Sequence, residues 1–249
     1  MSNTSPWLRP SAELKLAEDE VHVWRAQLDL APTALRRLES TLAIDEDSRA
    51  ARFLFARDRE HFIAARGILR ELLGAYLNRS AAELGFDYRP QGKPSLRVGE
   101  TESTLRFNLS HSHGYAVFAF ARNRELGIDL ESIRPGFAGE EIAKRYFSKQ
   151  ELTEMRALPP GLRAEGFFLC WTRKEAYVKA RGGGLQIPLD SFHVSLTPGQ
   201  PEKLQSADAN RWSLHSFEPA PRFVGAIVTE GKIFRLRFWD WKPRSEAMP

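Results

Sequence analysis

Apolar and polar positions change rhythm several times along this chain, and each change predicts an element. Residues 21–28 alternate as a strand does. Arginine-rich short helices are expected over residues 34–42 and 47–55. Over residues 58–77 the period lengthens: Phe62, Ile63, Leu69, Leu72, Leu73 and Tyr76 form one broad apolar face, so a long helix is expected, capped by Asp58 and ended at Asn78 and Arg79. Ser80-Ala81-Ala82-Glu83 has the form of a capping box for one short turn. Residues 89–94 read as a loop because two prolines flank a glycine. Three strands follow over 105–109, 115–121 and 125–131.

The second half repeats the pattern. A helix is expected over 138–147, and Ser148-Lys149-Gln150-Glu151 is a capping box opening another that Pro159 and Pro160 stop. Residues 164–181 form the second long helix, ended by Gly182-Gly183-Gly184. Strands are expected over 192–196, 212–217, 223–229 and 233–239. The expected fold is therefore α+β. It has two similar lobes, 1–124 and 125–249, each a long helix on a small antiparallel sheet, with the active site in the cleft between them. The duplication is one of shape, since identity between the halves is not evident.

Composition narrows this picture. With 249 residues and 42% hydrophobic content the chain can build a normal core. Its single cysteine, Cys170, excludes an intramolecular disulfide framework and fits a reducing compartment. Neither a leader pattern in Met1–Trp7 nor an apolar run of membrane length is seen, so a cytoplasmic protein with no membrane partner is expected. A net charge of +4 suits phosphate-rich ligands or acidic partners, although a merely solvated surface would look the same.

Two segments carry acids at suggestive spacings. In Gly127-Ile128-Asp129-Leu130-Glu131 a strand would point both carboxylates to one face and Ile128 and Leu130 to the other. In Trp171-Thr172-Arg173-Lys174-Glu175-Ala176-Tyr177-Val178-Lys179 a helix would stack Glu175 and Lys179 on one face, with Trp171 a turn earlier. Three carboxylates beside a lysine suit a hard cation that shares its shell with phosphate oxygens, which points to chemistry on a diphosphate. The plain alternatives are the solvent face of an edge strand and an exposed helical ion pair worth about 0.3 kcal/mol.

Asn108-Leu109-Ser110-His111-Ser112-His113-Gly114 falls between two expected strands, where Ser110 and His111 can donate to phosphate or simply form a turn. A zinc site at His111 and His113 lacks a third ligand at diagnostic spacing. Lys93, between Gly92 and Pro94, can meet a phosphate as a point charge or stand in solvent. Arg49 and Arg66 sit in arginine-dense helices where most charges are surface charges. The glycine run at 182–184 follows a helix, so it is a stop and not a phosphate loop.

Taken in order, Gly92-Lys93-Pro94, Phe107-Asn108-Leu109-Ser110-His111, Gly127-Ile128-Asp129-Leu130-Glu131, Phe147-Ser148 and Trp171 through Ala180 closely resemble the 4′-phosphopantetheinyl transferases of the surfactin-synthetase-activating type. The resemblance implies a monomer that binds coenzyme A and Mg²⁺ (or Mn²⁺) between its lobes and moves 4′-phosphopantetheine to a serine of an acyl or peptidyl carrier protein, releasing 3′,5′-ADP. Such chemistry serves fatty-acid, polyketide or nonribosomal peptide synthesis. By motif position Asp129, Glu131 and Glu175 resemble the metal ligands, Glu175 the base, and Lys179 the residue that neutralises charge on the leaving phosphate. Arg49, Lys93, Ser110, His111 and Lys179 resemble coenzyme A contacts.

One position departs from the pattern. Glu46 stands where some members carry a second basic residue, and Arg52 or Arg66 is the expected substitute. Two rivals remain. A metal-dependent phosphohydrolase or nuclease would also use three acids. A basic nucleic-acid module is disfavoured, because those acids would repel a phosphate backbone.

Overall fold

The computed structural model describes residues 7–10, 14–88, 93–97, 104–137, 139–233 and 235–243. Its strands are β1 (Glu20–Gln27), β2 (Phe86–Tyr88), β3 (Pro94–Leu96), β4 (Leu105–Ser112), β5 (Tyr115–Arg122), β6 (Leu126–Ser132), β7 (His193–Val194), β8 (Leu204–Gln205), β9 (Trp212–Phe217), β10 (Phe223–Glu230) and β11 (Arg235–Asp240). Its helices are α1 (Pro32–Glu39), α2 (Ile44–Ala50), α3 (Ala56–Leu77), α4 (Glu140–Tyr146), α5 (Lys149–Ala157) and α6 (Arg163–Arg181).

Period-two alternation sorts the strand residues between cores. In β5, Ala116, Phe118 and Phe120 join Trp24 of β1 and the apolar face of α3, while Val117, Ala119 and Ala121 turn to the other side. There they meet Ile128 and Leu130 of β6 and Ile227 of β10. In β10, Val224, Ala226 and Val228 face α6 instead, against Phe168, Cys170 and Tyr177. Two sheets thus share a middle core, and each has a long helix on its outer side. The first sheet runs β11-β1-β5-β4 and the second β6-β10-β9. Small hairpins β2–β3 and β7–β8 complete the sheets.

The α+β class holds, with corrections. β11 pairs in parallel with β1, Leu236 beside Val21 and Phe238 beside Val23, so the first sheet is mixed and takes its edge strand from the end of the chain. The boundary at residues 124 and 125 therefore does not separate the two sheets. Aromatic packing fixes the return: Trp239 stacks on Trp24 at 5.9 Å between ring centres, and Phe238 meets Trp7 at 5.0 Å.

Local signals fared unevenly. Asn78 ends α3 in the left-handed region at φ 52°, and Gly182 ends α6 at φ 69°. Ser148 and Glu151 form the expected capping box. Asp58 does not cap α3, whose N-cap is Phe55, and Ser80 makes no side-chain cap to the short turn that follows it. The second short helix starts and ends earlier than residues 47–55, which leaves Phe53, Leu54 and Phe55 outside it. β4 runs through Ser110 to Ser112, so Ser110 and His111 belong to a strand, and the turn is the pair His113 (φ 47°) and Gly114 (φ 79°). The expected loop at 89–94 lies in part outside the described residues, as does Ala138 at the start of the 138–147 helix.

Candidate active site

Gly127 sets how closely α6 approaches β6. A Cβ at this position would lie 2.2 Å from the Ala176 carbonyl oxygen and 2.3 Å from the Ala180 nitrogen, so no side chain fits between strand and helix. This contact lays the Glu175–Lys179 turn of α6 over the Asp129 face of β6. Lys179 Nζ donates to Asp129 Oδ1 at 2.6 Å and to the Ile128 carbonyl at 3.3 Å. The pairing joins the two segments that the sequence singled out separately.

The same face of β6 is tied to β4. These strands are edges of different sheets, and their seam is bridged by side chains of alternate β4 residues. Asn108 Oδ1 accepts the buried Ile128 N–H at 2.9 Å. Ser110 Oγ donates to Asp129 Oδ1 at 2.8 Å, and Ser112 Oγ donates to Glu131 Oε2 at 3.0 Å. The Asn-x-Ser-x-Ser spacing is the sequence signal for this seam, a role that reading the motif as a turn had missed.

Glu131 senses the Asp129 charge, and Glu175 senses both. Burial pushes the Glu131 carboxyl up, and the Asp129 charge adds to this against the Ser112 hydrogen bond. Burial also raises Glu175; Lys179 opposes the rise, while Asp129 and Glu131 reinforce it. Asp129 Oδ2 is buried with no hydrogen-bond partner. Among the described residues no three His, Cys, Asp or Glu side chains gather closely enough to hold a metal ion between them. The three acids are thus near neighbours in charge, and the Lys179 ammonium sits against Asp129. An orphaned carboxylate oxygen and two acids whose charge is disfavoured fit a divalent cation, which would supply the missing positive charge.

Two cavities meet at this point. One of ≈ 510 Å³ is lined by Arg49, Phe53, Arg66, Tyr88, Lys93, Asn108, Ser110, His111 and Lys179. The other, ≈ 780 Å³, is lined by Lys93, Arg145, Tyr146, Glu175, Lys179 and the turn after α6. Lys93 and Lys179 border both. All five residues expected to contact coenzyme A therefore line one cavity, and Glu175 lines its neighbour.

Several of these side chains have partners the sequence did not supply. Lys93 Nζ donates to the Leu126 carbonyl at 2.8 Å and the Lys179 carbonyl at 3.0 Å, so it ties β6 to the end of α6. Glu46 is buried and pairs with Arg66 at 3.1 Å and Arg70 at 2.6 Å. Arg66 also donates to the Tyr88 hydroxyl, and is therefore committed before any ligand arrives. Arg52 donates to the Ser48 carbonyl. Arg49 lies over the Phe62 ring with no carboxylate partner among the described residues. His111 is exposed, yet desolvation by the protein around it lowers its affinity for a proton, and Lys179, His61 and Arg49 add to the effect.

Two family models match the chain. The 4′-phosphopantetheinyl transferase N-terminal model covers residues 26–123, and the 4′-phosphopantetheinyl transferase superfamily model covers residues 125–228. The 4′-phosphopantetheinyl transferase HetI of Nostoc sp. is 43% identical over 94% of this chain and 98% of its own length. The 4′-phosphopantetheinyl transferase Sfp of Bacillus subtilis is 29% identical over 64% of this chain and 69% of its own. A holo-(acyl-carrier-protein) synthase from Bacillus anthracis, solved in complex with CoA, aligns with 43% of this chain and 94% of its own at TM-score 0.37 and 20% identity. No helix among the described residues is long and apolar enough to cross a membrane.

Proposed function

Because this chain belongs to the 4′-phosphopantetheinyl transferase superfamily, we propose that it transfers 4′-phosphopantetheine from coenzyme A to a serine hydroxyl of an acyl or peptidyl carrier protein. The observation that carries this reading is the convergence of Arg49, Lys93, Ser110, His111 and Lys179 on one cavity beside the Asp129, Glu131 and Glu175 acids. On this reading residues 1–124 supply most coenzyme A contacts, residues 125–249 supply the metal ligands and the catalytic helix, and the cofactor lies in the cleft between two lobes of similar design. The protein acts as a cytoplasmic monomer.

The serine oxygen forms a new P–O bond to the phosphorus that carries pantetheine. The bond from that phosphorus to the bridging oxygen breaks, and 3′,5′-ADP leaves with the electron pair. The serine proton passes to the Glu175 carboxylate, directly or through one water; the disfavoured charge on Glu175 suits a proton acceptor. Lys179 lies between the cavities and places its positive charge where the leaving phosphate gains negative charge. Asp129, Glu131 and Glu175 would hold Mg²⁺ or Mn²⁺, and the bound ion supplies charge neutralisation at the diphosphate. Arg49 and His111 offer donors to the nucleotide phosphates, Ser110 adds a hydroxyl, and Lys93 acts chiefly through its charge because two of its three donors are engaged.

The test is mass spectrometry of an apo carrier protein incubated with the chain, coenzyme A and MgCl₂. Gain of the 4′-phosphopantetheine mass on the carrier is expected, abolished by EDTA. Glu175→Gln should lower the rate about 100-fold. Hydrolysis of coenzyme A with no mass gained by any carrier in a broad panel would instead mark a phosphohydrolase.

A further inference from the structure

Between α2 and α3 three consecutive large apolar residues face outward: Phe53 is 38% exposed, Leu54 87% and Phe55 66%. Contiguous exposed apolar surface on a soluble domain marks an interaction site more often than an isolated exposed residue does. Phe53 is anchored, its ring 5.3 Å from that of Phe62, and it forms part of the wall of the Arg49–Lys179 cavity. It also borders a neighbouring cavity together with Arg57 and His111. The triplet is thus continuous with the candidate active site.

Its surroundings carry one sign of charge in excess. Arg49, Arg52, Arg57 and Arg59 flank the triplet against Asp58 and Glu60, an excess of two positive charges over residues 49–60. Arg57 and Arg59 reach carboxylates only at 3.5 and 3.4 Å, and both pairs are solvent-exposed, so their guanidinium groups stay available to a partner. Arg49 and Arg52 have no carboxylate within ion-pair reach among the described residues. An apolar centre with a cationic rim has the anatomy of a protein–protein contact whose partner is acidic with an exposed apolar anchor.

We propose that the Phe53–Phe55 triplet and its flanking arginines form the docking surface for the acceptor carrier protein. The proposal rests on the transferase reading. With coenzyme A filling the cavity, an acceptor serine reaches the phosphorus only if the partner's footprint borders the cavity wall, and Phe53 is part of that wall. Leu54 and Phe55 take the partner's apolar anchor, and the arginines meet its carboxylates and speed encounter.

The experiment is steady-state transfer by the full chain onto an apo acyl- or peptidyl-carrier protein that it modifies, with carrier and coenzyme A varied separately. The variants are Leu54→Glu/Phe55→Glu and Arg52→Glu. All three side chains are exposed, so the fold should survive, as circular dichroism will show. The double variant should raise the carrier KM about tenfold or more, with kcat and the coenzyme A KM within about twofold of the parent. Arg52→Glu should raise the carrier KM less and flatten its rise with salt. An unchanged carrier KM in the double variant overturns the proposal, as does a loss confined to kcat or to the coenzyme A KM. A parent dimer in sedimentation that the double variant dissociates also overturns it, since a second copy would then be the occupant. No transfer by the parent chain onto any carrier refutes the transferase reading itself.

Discussion

Lys174 and Lys179 stand on the same helix, and their surroundings could hardly differ more. Lys174 is fully buried and donates to Glu151 Oε2 at 2.8 Å, to the Leu189 carbonyl at 2.6 Å and to the Phe192 carbonyl at 2.8 Å. Glu151 in turn accepts the N–H groups of Ser148 at 2.7 Å and Val194 at 2.8 Å. The Lys174 ammonium and both Glu151 oxygens are thus engaged, and among the described residues only the buried His193 Nδ1, 3.8 Å from Glu151 Oε1, has no hydrogen-bond partner there. Lys179 has one short bond, to Asp129; its contacts to Ile128 and Ser110 are 3.3 and 3.4 Å, and Asp129 Oδ2 has no partner. The first centre pins the segment after α6 to the helix. The second sets Glu131 and Glu175 against the like charge of Asp129 beside two cavities and leaves one buried Asp129 oxygen without a hydrogen-bond partner. The difference separates a satisfied ion pair from an incompletely satisfied one on a single helix, which motif spacing alone cannot do.

Removing the charge from the satisfied centre should produce the largest effect. Lys174→Met leaves Glu151 buried and unpaired, and should cost roughly 3–5 kcal/mol in denaturant unfolding. A loss under about 1 kcal/mol would show that the pair is not structural.

Acid should act next most strongly, through a buried group that takes the opposite course and gives up its charge. Burial holds His22 down to about 4, against the pull of Glu20. Its unfolded value is about 6.5, so between these values the unfolded chain binds a proton that the folded chain refuses. Stability from this source is complete above pH ~6.5 and is lost as pH falls towards 4, by up to about 3 kcal/mol. His22→Gln should flatten that slope in pH-dependent denaturation, and an unchanged slope would assign acid sensitivity elsewhere.

The unsatisfied centre should respond in the other currency. Glu175→Gln relieves repulsion, so its melting temperature should stay within about 2 °C of the parent or rise, even as transfer falls about 100-fold, equivalent to about 2.7 kcal/mol. Marked destabilisation would place Glu175 with Lys174 among the structural charges. The smallest effect is expected at the seam. Asn108→Ala leaves the Ile128 N–H buried and unpaired, and should cost about 2 kcal/mol.

Much of this was legible locally. Asp129 and Glu131 share a face because strand periodicity requires it, and the helix stops at Asn78 and Gly182 needed residues that tolerate a left-handed backbone. What escaped was long-range. Nothing in the alternation of residues 233–239 says that this strand crosses back to pair with β1. Glu46 drew notice as a departure from the family's basic pattern, but that it pairs with Arg70 depends on how α2 packs on α3. Glu151 was legible as a helix cap, while its second role toward Lys174 and Val194 depends on α6 and β7 arriving beside it. The Lys93 partners likewise come from elements 33 and 86 residues away.

The missing side chain at Gly127 has a consequence for anyone who would re-engineer this enzyme. The gauge between strand and helix is set at its minimum, backbone against backbone, and any bulk added there pushes in one direction only, parting Lys179 from Asp129. Changes in acceptor or donor preference must therefore come from the loops and rims around this fixed spacing, because the spacing itself has no slack to tune.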